Sequence, residues 1–124
     1  MKQTTSAIGN LAENFAVQEL KKIKYKIIAR NYHCPHGEID IIAIDQDTLV
    51  FVEVKARSSS IFGSPLEAVT TRKISKISQT GEYFINNHKD NLPSKKRIDV
   101  FAVYITNSNK YSFQLFTAVN QYVT

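Results

Sequence analysis

Residues 37–57, with the sequence GEIDIIAIDQDTLVFVEVKAR, constrain the fold of this chain more than any other stretch. Two runs rich in β-branched residues flank the short polar segment DQDT. So few residues separate the two runs that only an antiparallel hairpin can join them. The sequence therefore predicts a strongly apolar hairpin around which the other elements must be arranged.

The length of the turn sets the register of this hairpin. If residues 46–47 form a two-residue turn, Asp40 lies directly opposite Glu53, since opposed residues share one face of the sheet. The same register places Glu38 opposite Lys55. A three-residue turn would put Asp40 and Glu53 on opposite faces. A two-residue turn therefore predicts two carboxylates that face each other across the hairpin.

The facing carboxylates suggest a site for a divalent cation. Two like charges opposed across a ladder destabilise it by roughly 0.2–1 kcal/mol, and by more when they are partly buried. Mg²⁺ prefers carboxylate and water oxygens and would remove the repulsion, and Lys55 would then orient or deprotonate a water beside it. The alternative is a solvated outer face on which acids and lysine alternate for solubility, although apolar residues occupy both faces around the charges: Ile39, Ile41, Ile42, Val52 and Val54.

The segments before the hairpin predict a helix, a strand and a loop. Apolar residues recur every three or four positions from about Ser6 to Lys22, which is typical of an amphipathic helix. YKIIAR (25–30) predicts a short strand, and NYHCPHG (31–37) predicts a loop. That loop carries His33, Cys34 and His36, but a fourth zinc ligand at suitable spacing is absent, so we interpret it as a polar loop.

A capping box predicts the start of a second helix. Ser64 suits the N-cap, Pro65 the first helical position, and Glu67 completes the box. We expect this helix to run to about Asn87, with a kink near residues 70–71. Two further strands are predicted over RIDVFAVYI (97–105) and YSFQLFTAV (111–119). The order α-β-β-β-α-β-β predicts an α/β fold with a mixed sheet flanked by helices, in one domain over residues 1–124.

Composition narrows the partners and the compartment. No apolar run approaches the roughly 18 residues of a membrane span, so we expect no membrane association. The segment MKQTTSAIGN lacks the apolar core of a signal peptide and Cys34 is the single cysteine, which predicts a cytoplasmic protein. The net charge of +5 favours an anionic partner. Basic residues cluster in three runs, which either contact phosphates or form solvated faces: Lys21, Lys22, Lys24, Lys26 and Arg30; Arg72, Lys73 and Lys76; Lys95, Lys96 and Arg97.

Asp40, followed by Glu53-Val54-Lys55, resembles the D…ExK signature of PD-(D/E)XK nucleases. The wider context is similar to the YraN family of small bacterial proteins over almost the entire chain. That family is described as endonuclease-like, so the resemblance implies a restriction-endonuclease-like fold related to archaeal Holliday junction resolvases. The matching segments follow in this order: GNLAENFA (9–16), RN (30–31), GEIDIIA (37–43), LVFVEVKAR (49–57), FGSPLEAV (62–69), Lys73 and RIDV (97–100).

The resemblance implies a role for each matching position. Asp40 and Glu53 would be ligands of Mg²⁺ or Mn²⁺, with the main-chain carbonyl of Val54 as an additional ligand. Lys55 would be the catalytic lysine. Glu13 would be the acid that the first helix contributes to the cluster, an assignment that helical phase alone does not single out.

Other polar residues receive less specific predictions. Glu38 is expected to be a structural partner of Lys55 or to lie behind the metal ligands. Asp99 interrupts an apolar strand and is expected to be a structural acid paired with Arg97 or with a backbone donor. Four basic residues are the expected nucleic-acid contacts: Arg30, Arg57, Arg72 and Lys73.

These predictions together favour a Mg²⁺-dependent endonuclease that hydrolyses phosphodiester bonds in DNA with weak sequence preference. Branched or junction-like DNA and a homodimer follow from the resemblance to resolvases, which act on two-fold substrates. Two other classes stay open. One is a nucleic-acid-binding module that keeps the nuclease fold without turnover, and the other is a protein-interaction adaptor with a regulatory ion site.

Overall fold

The described residues form two α-helices and five β-strands in the predicted order, and the fold class predicted from the sequence is confirmed. The structure is a computed structural model that describes residues 2–57, 69–105 and 110–121, with the side chains of residues 2–8 and 121 left out of the description. The elements are α1 (Lys2–Lys22), β1 (Lys26–Cys34), β2 (Gly37–Asp45), β3 (Thr48–Arg57), α2 (Thr71–Asn87), β4 (Lys95–Ile105), β5 (Tyr111–Phe116) and a 3₁₀ turn (Val119–Gln121).

The five strands form one mixed sheet in the order β1-β2-β3-β4-β5. Adjacent strands are antiparallel except β3 and β4, which are parallel. A parallel pair needs a crossover connection, and α2 lies within it. This arrangement of a mixed sheet between two helices is consistent with a restriction-endonuclease-like fold.

The two helices cover opposite faces of the sheet. Because the central strands are buried on both faces, they are almost continuously apolar in sequence. Within the described ranges, neither helix combines the length and the apolar character needed to cross a membrane. The core under α1 contains Ala12, Ala16, Leu20, Ile41, Val50, Val52 and Phe101, and the core under α2 contains Ile77, Phe84, Ile42, Phe51, Ile98 and Val100.

The second helix begins later than the capping box predicted. Thr70 is extended (φ −94°, ψ 164°), and its hydroxyl accepts a hydrogen bond from the Lys73 backbone N–H at 3.1 Å, so Thr70 is the N-cap. The prediction of a helix that continues through residues 70–71 with a kink is therefore wrong, because Thr70 is not helical. The box at residues 64–67 lies outside the described residues, whereas the predicted end at Asn87 is confirmed.

Two strand boundaries also differ from those predicted. The segment NYHC belongs to β1 and is not a loop, because His33 pairs with Glu38 and Cys34 with Gly37 across a tight turn. The last strand ends at Phe116, since the chain turns away at Ala118, which has a positive φ of 54°. The sheet therefore gains length at its first edge and loses it at its last.

Candidate active site

The hairpin of β2 and β3 has the predicted two-residue turn and register. Asp45 pairs with Thr48, and the ladder continues as far as Ile41 and Val52. Within this fully described hairpin the ladder ends there, because β2 continues alongside β1 only and β3 alongside β4 only. The next residue on each strand is Asp40 or Glu53, so both acids lie where two neighbouring strands separate.

Where the ladder ends, the carboxylate of Asp40 accepts a hydrogen bond from the backbone of β3. Its Oδ2 accepts a hydrogen bond of 2.8 Å from the backbone N–H of Val54, which a carbonyl of β2 would otherwise accept. Ile39 packs under α2 whereas Ile41 packs under α1, so the regular alternation of side chains is broken at Asp40. The Asp40 side chain therefore lies in the gap between β2 and β3.

The two carboxyl groups of Asp40 and Glu53 meet, as the register predicts. Burial raises the pKa of Asp40 to about 7, and the negative charge of Glu53 and a hydrogen bond with it act in the same direction. The Val54 N–H favours the charged form and opposes this shift, while Glu13 adds a smaller repulsion. Asp40 is thus the acid of the group that most needs a proton or a cation.

Glu53 already has two cationic neighbours. Its Oε2 lies 2.6 Å from Nζ of Lys73 and 3.3 Å from Nζ of Lys55. Burial lowers the pKa of Lys55, and the adjacent Lys73 lowers it further. Burial also disfavours the charged form of Lys73, but the hydrogen bond and the charge of Glu53 raise its pKa overall. Lys73, which was expected to contact phosphate, therefore forms an ion pair with Glu53 of the candidate site.

Glu13 approaches the same site from α1 and is paired with an arginine. Its Oε1 accepts a hydrogen bond of 3.1 Å from Nε of Arg30, whose terminal nitrogen donates to Asn14 at 2.6 Å. Glu13 is buried and close enough to Asp40 to raise its pKa. Arg30, another expected phosphate contact, is thus anchored on the first helix.

A polar cavity of about 270 Å³ opens beside Asp40 on the α1 side of the sheet. Asn10 and Asn31 line it and were not singled out by the sequence. Asn31 has a positive φ of 50°, a conformation that asparagine tolerates better than most residues. The one sequence signal for Asn31 was that an asparagine directly follows the predicted strand YKIIAR. The polar side chains that line this cavity are Asn10, Glu13, Asn31, Glu38 and Asp40.

The donor groups fit a divalent cation at two of the predicted ligands. Asp40 and Glu53 bring together two carboxylates whose repulsion such a cation relieves, and the N–H and C=O of Val54 face the same strand edge, toward Asp40. Among the described residues, however, no three His, Cys, Asp or Glu side chains are grouped so as to hold a metal ion. A ligand role for Glu13 stays a prediction, since Arg30 already binds one of its two carboxylate oxygens.

Glu38 does not partner Lys55, so that predicted pairing is wrong. Because β2 leaves β3 before it reaches Glu38, this residue faces β1 and its Oε2 lies 3.2 Å from Nδ1 of His33. His36, in the same turn, packs its ring against Tyr83 with centroids 5.8 Å apart. The turn between β1 and β2 is thus held by one contact across the hairpin and by another with α2.

Among the ion pairs of the described residues, none joins the two remaining basic candidates, Arg57 and Arg72, to the acids of the site. Arg57 ends β3, two residues beyond Lys55, and is partly exposed. Arg72 is exposed in the first turn of α2, next to Lys73. Their proposed contacts with phosphate stay predictions.

A second polar cluster surrounds Asp99, toward the turn end of the β2–β3 hairpin. Asp99 is fully buried and accepts hydrogen bonds from Arg97 (3.0 Å), the Tyr25 hydroxyl (2.9 Å) and the Ala118 N–H (2.9 Å). Arg97 also donates to Asp45 at 2.7 Å. The predicted structural role of Asp99 is confirmed, whereas Tyr25 and Asp45 were missed because nothing in their local sequence indicates partners so distant along the chain.

A five-stranded mixed sheet between two helices defines an α/β protein whose fold is consistent with the restriction-endonuclease-like class. Comparison with known proteins gives a narrower assignment. The chain belongs to the family described as Uncharacterised protein family UPF0102, whose family model matches residues 12–103. This is the YraN family that the sequence motifs resemble.

Several relatives carry the name UPF0102 protein. One from Caldicellulosiruptor saccharolyticus is 44% identical over 103 residues, which cover 83% of this chain and 86% of the relative. Another, from Clostridium botulinum strain Hall, is 43% identical over 109 residues, which cover 87% of this chain and 89% of the relative. A third, from Caldicellulosiruptor bescii, is 43% identical over 102 residues, which cover 82% of this chain and 86% of the relative.

Proposed function

We propose that this protein is a metal-dependent nuclease that hydrolyses phosphodiester bonds in DNA. The observation that carries the proposal is the contact between the carboxyl groups of Asp40 and Glu53, with Lys55 beside them. Burial and like charge hold Asp40 in a state that a divalent cation would relieve. The resemblance of the same residues to the D…ExK signature of PD-(D/E)XK nucleases supports the assignment.

Asp40, Glu53 and the carbonyl of Val54 are the groups that would hold Mg²⁺ or Mn²⁺. A bound ion would polarise the scissile phosphate and make a water molecule more acidic. Lys55 lies at the edge of this group with a lowered pKa, so its amine is suited to accept a proton from water or to donate a hydrogen bond to a phosphate oxygen. Asp40, held by the Val54 N–H, keeps a fixed orientation toward the reacting groups.

Binding of the substrate would rest on the phosphate backbone. Arg57 ends the strand that carries Glu53, Arg72 precedes Lys73 in the first turn of α2, and both carry charges suited to phosphates, which position a nucleic acid without reading its bases. Weak sequence preference follows from such contacts. Branched or junction-like DNA as the substrate, and a homodimer that matches its two-fold symmetry, are supported by the resemblance to junction resolvases.

A second candidate is a nucleic-acid-binding module without turnover. One observation favours it: Lys73 and Lys55 balance Glu53, and Arg30 balances Glu13, so these two acids have counter-ions from the chain itself. A site balanced in this way is stable without a metal ion. Asp40 is the exception, because no lysine or arginine pairs with it among the ion pairs of the described residues.

Cleavage assays separate these candidates. Fluorescently labelled four-way junction, flap and linear duplex DNA would be incubated with the protein and Mg²⁺ or Mn²⁺. We expect products with wild type and a loss of at least about 100-fold with Asp40→Asn or Glu53→Gln, in line with removal of a metal ligand or of transition-state stabilisation. Asp47→Asn is the matched control, since this exposed acid lies in the turn of the same hairpin.

If the protein binds DNA but cleaves none of the substrates, the nuclease proposal fails and the nucleic-acid-binding module is favoured. If the protein neither binds nor cleaves DNA, the nuclease and the binding module are both overturned, and the protein-interaction adaptor remains. Cleavage that persists undiminished in Asp40→Asn and Glu53→Gln would place the activity elsewhere or in a contaminant.

A further inference from the structure

Two ammonium groups compete for one oxygen of Glu53. Lys55 comes from the same strand, two residues further on, whereas Lys73 comes from the first turn of α2. Both point at Oε2, Lys73 at 2.6 Å and Lys55 at 3.3 Å. Two like charges this close repel each other, so the arrangement contains one more cation than a single carboxylate oxygen can accommodate well.

Lys73 is the cation that is free to leave. Its side chain is 36% exposed, against 20% for Lys55 and 12% for Glu53. The Lys73 backbone is fixed by the cap at Thr70, so the ammonium can move on its flexible stem while the helix stays in place. Lys55 is confined within a central strand that pairs with β4.

The position of Lys73 in the helix also needs an explanation. The first turn of a helix favours acidic side chains, and α2 has none there. A lysine in that turn is disfavoured by the helix dipole, and its ammonium is held there by Glu53 at 2.6 Å. The ion pair with Glu53 thus offsets the unfavourable interaction between Lys73 and the helix dipole.

We propose that Lys73 is an exchangeable counter-ion, which occupies Glu53 while no divalent cation is bound and moves to a substrate phosphate when one binds. A divalent cation coordinated by Glu53 would repel the ammonium from Oε2, and a phosphate oxygen is the nearest kind of anion that a nucleic-acid substrate would offer it. The phosphate half of this inference rests on the proposed function, whereas the competition for Glu53 does not.

Two consequences distinguish this role from a fixed structural ion pair. Lys73 weakens binding of the divalent cation, because the ion must displace it. The same lysine strengthens DNA binding only when the cation is present. By linkage, cation and DNA therefore bind more cooperatively in wild type than in a variant without this ammonium.

The first consequence is tested by Mn²⁺ binding to the free protein, followed by electron paramagnetic resonance and isothermal titration calorimetry at pH 8. Lys73→Met keeps the apolar stem and removes the charge, and we expect it to bind Mn²⁺ about tenfold more tightly than wild type. Lys73→Arg should resemble wild type. Lys76→Met, an exposed lysine in the same helix, is the matched control and should show no change. Unchanged or weaker Mn²⁺ binding by Lys73→Met, or no Mn²⁺ binding by either protein, overturns the proposal.

The second consequence is tested by fluorescence anisotropy of labelled duplex and four-way junction DNA, with Ca²⁺ or with EDTA. With Ca²⁺, Lys73→Met should lose about three- to tenfold in affinity, and the slope of log K against log salt should fall by about one. With EDTA it should match wild type. An equal loss in both conditions makes Lys73 a permanent phosphate contact and overturns the exchange. If DNA is bound in this way but never cleaved, the nuclease proposal fails while the exchange stands.

Discussion

Replacing Asp40 by asparagine should stabilise the folded protein at pH 8 and have little effect near pH 4. The asparagine oxygen can still accept the hydrogen bond from the Val54 N–H, so the substitution removes the charge and keeps the contact. In wild type, burial and Glu53 raise the pKa of Asp40 from 3.8 to about 7. The substitution thus isolates the energetic consequence of an ionised carboxyl group in the gap between β2 and β3.

The sign of the effect follows from proton binding. Because the folded state holds the Asp40 proton more tightly than the unfolded state, its contribution to stability is fully present below about pH 4 and is lost as pH rises toward 7. A tenfold change in proton affinity is worth about 1.4 kcal/mol, which sets an upper limit of about 4 kcal/mol. Two lysines partly neutralise the neighbouring Glu53, so we expect about 2 kcal/mol.

Urea denaturation followed by far-ultraviolet circular dichroism, at pH values from 4 to 8, measures this difference directly. The free energy of unfolding of wild type should fall relative to that of Asp40→Asn between about pH 4 and pH 7, and the difference should be constant above. Asp47→Asn is the control, because hydrogen bonds with Lys95 and Thr48 lower the pKa of this exposed acid.

A variant that is destabilised equally at every pH would refute this account. In that case the Asp40 carboxylate would stabilise the fold as a hydrogen-bond acceptor, without a penalty for its charge. The acid pair would then give no reason to expect a divalent cation.

Two further predictions concern the packing of α2 and the pH dependence of metal binding. Gly81→Ala should lower the free energy of unfolding by about 1–3 kcal/mol, since the new Cβ would lie 2.5 Å from the buried ring of Phe51. Gly9→Ala should not lower it, because a Cβ at that position has nothing within 4 Å. A rise in the urea midpoint for both variants would contradict this expectation. Mn²⁺ binding measured by electron paramagnetic resonance should be about tenfold weaker at pH 6 than at pH 8, because Asp40 must lose a proton with a pKa of about 7, and equal affinities would contradict that assignment.

The sequence predicted the hairpin and its acid pair because both depend on local rules. A turn limited to residues 46–47 leaves one register, and Gln46 adopts the positive φ (56°) that such turns require. The register then makes Asp40 and Glu53 neighbours at the end of the ladder without knowledge of the rest of the fold. The prediction failed at Glu38, because the separation of β2 from β3 depends on where β1 and β4 pair with them.

Contacts between distant segments were the part that the sequence could not supply. Lys73 was expected at DNA, and its contact with Glu53 depends on where α2 starts after the crossover. Arg30 lies on an edge strand, and its pairing with Glu13 depends on how α1 crosses the sheet. Even the start of α2 was misjudged, because Thr70 was interpreted as part of a kink within a helix, whereas its hydroxyl caps the start of one.

The buried Asp99 also restricts which chain topologies are compact and stable. Its hydrogen-bond partners come from the segment between α1 and β1, the start of β4 and the segment after β5, and Arg97 links them to the end of β2. Leaving this buried carboxylate without one of its hydrogen bonds is destabilising by about 1–3 kcal/mol or more. Arg97 stays beside Asp99 on β4, but a misassembled sheet that displaces Tyr25 or the segment after β5 loses such a hydrogen bond, so this single aspartate disfavours wrong strand orders.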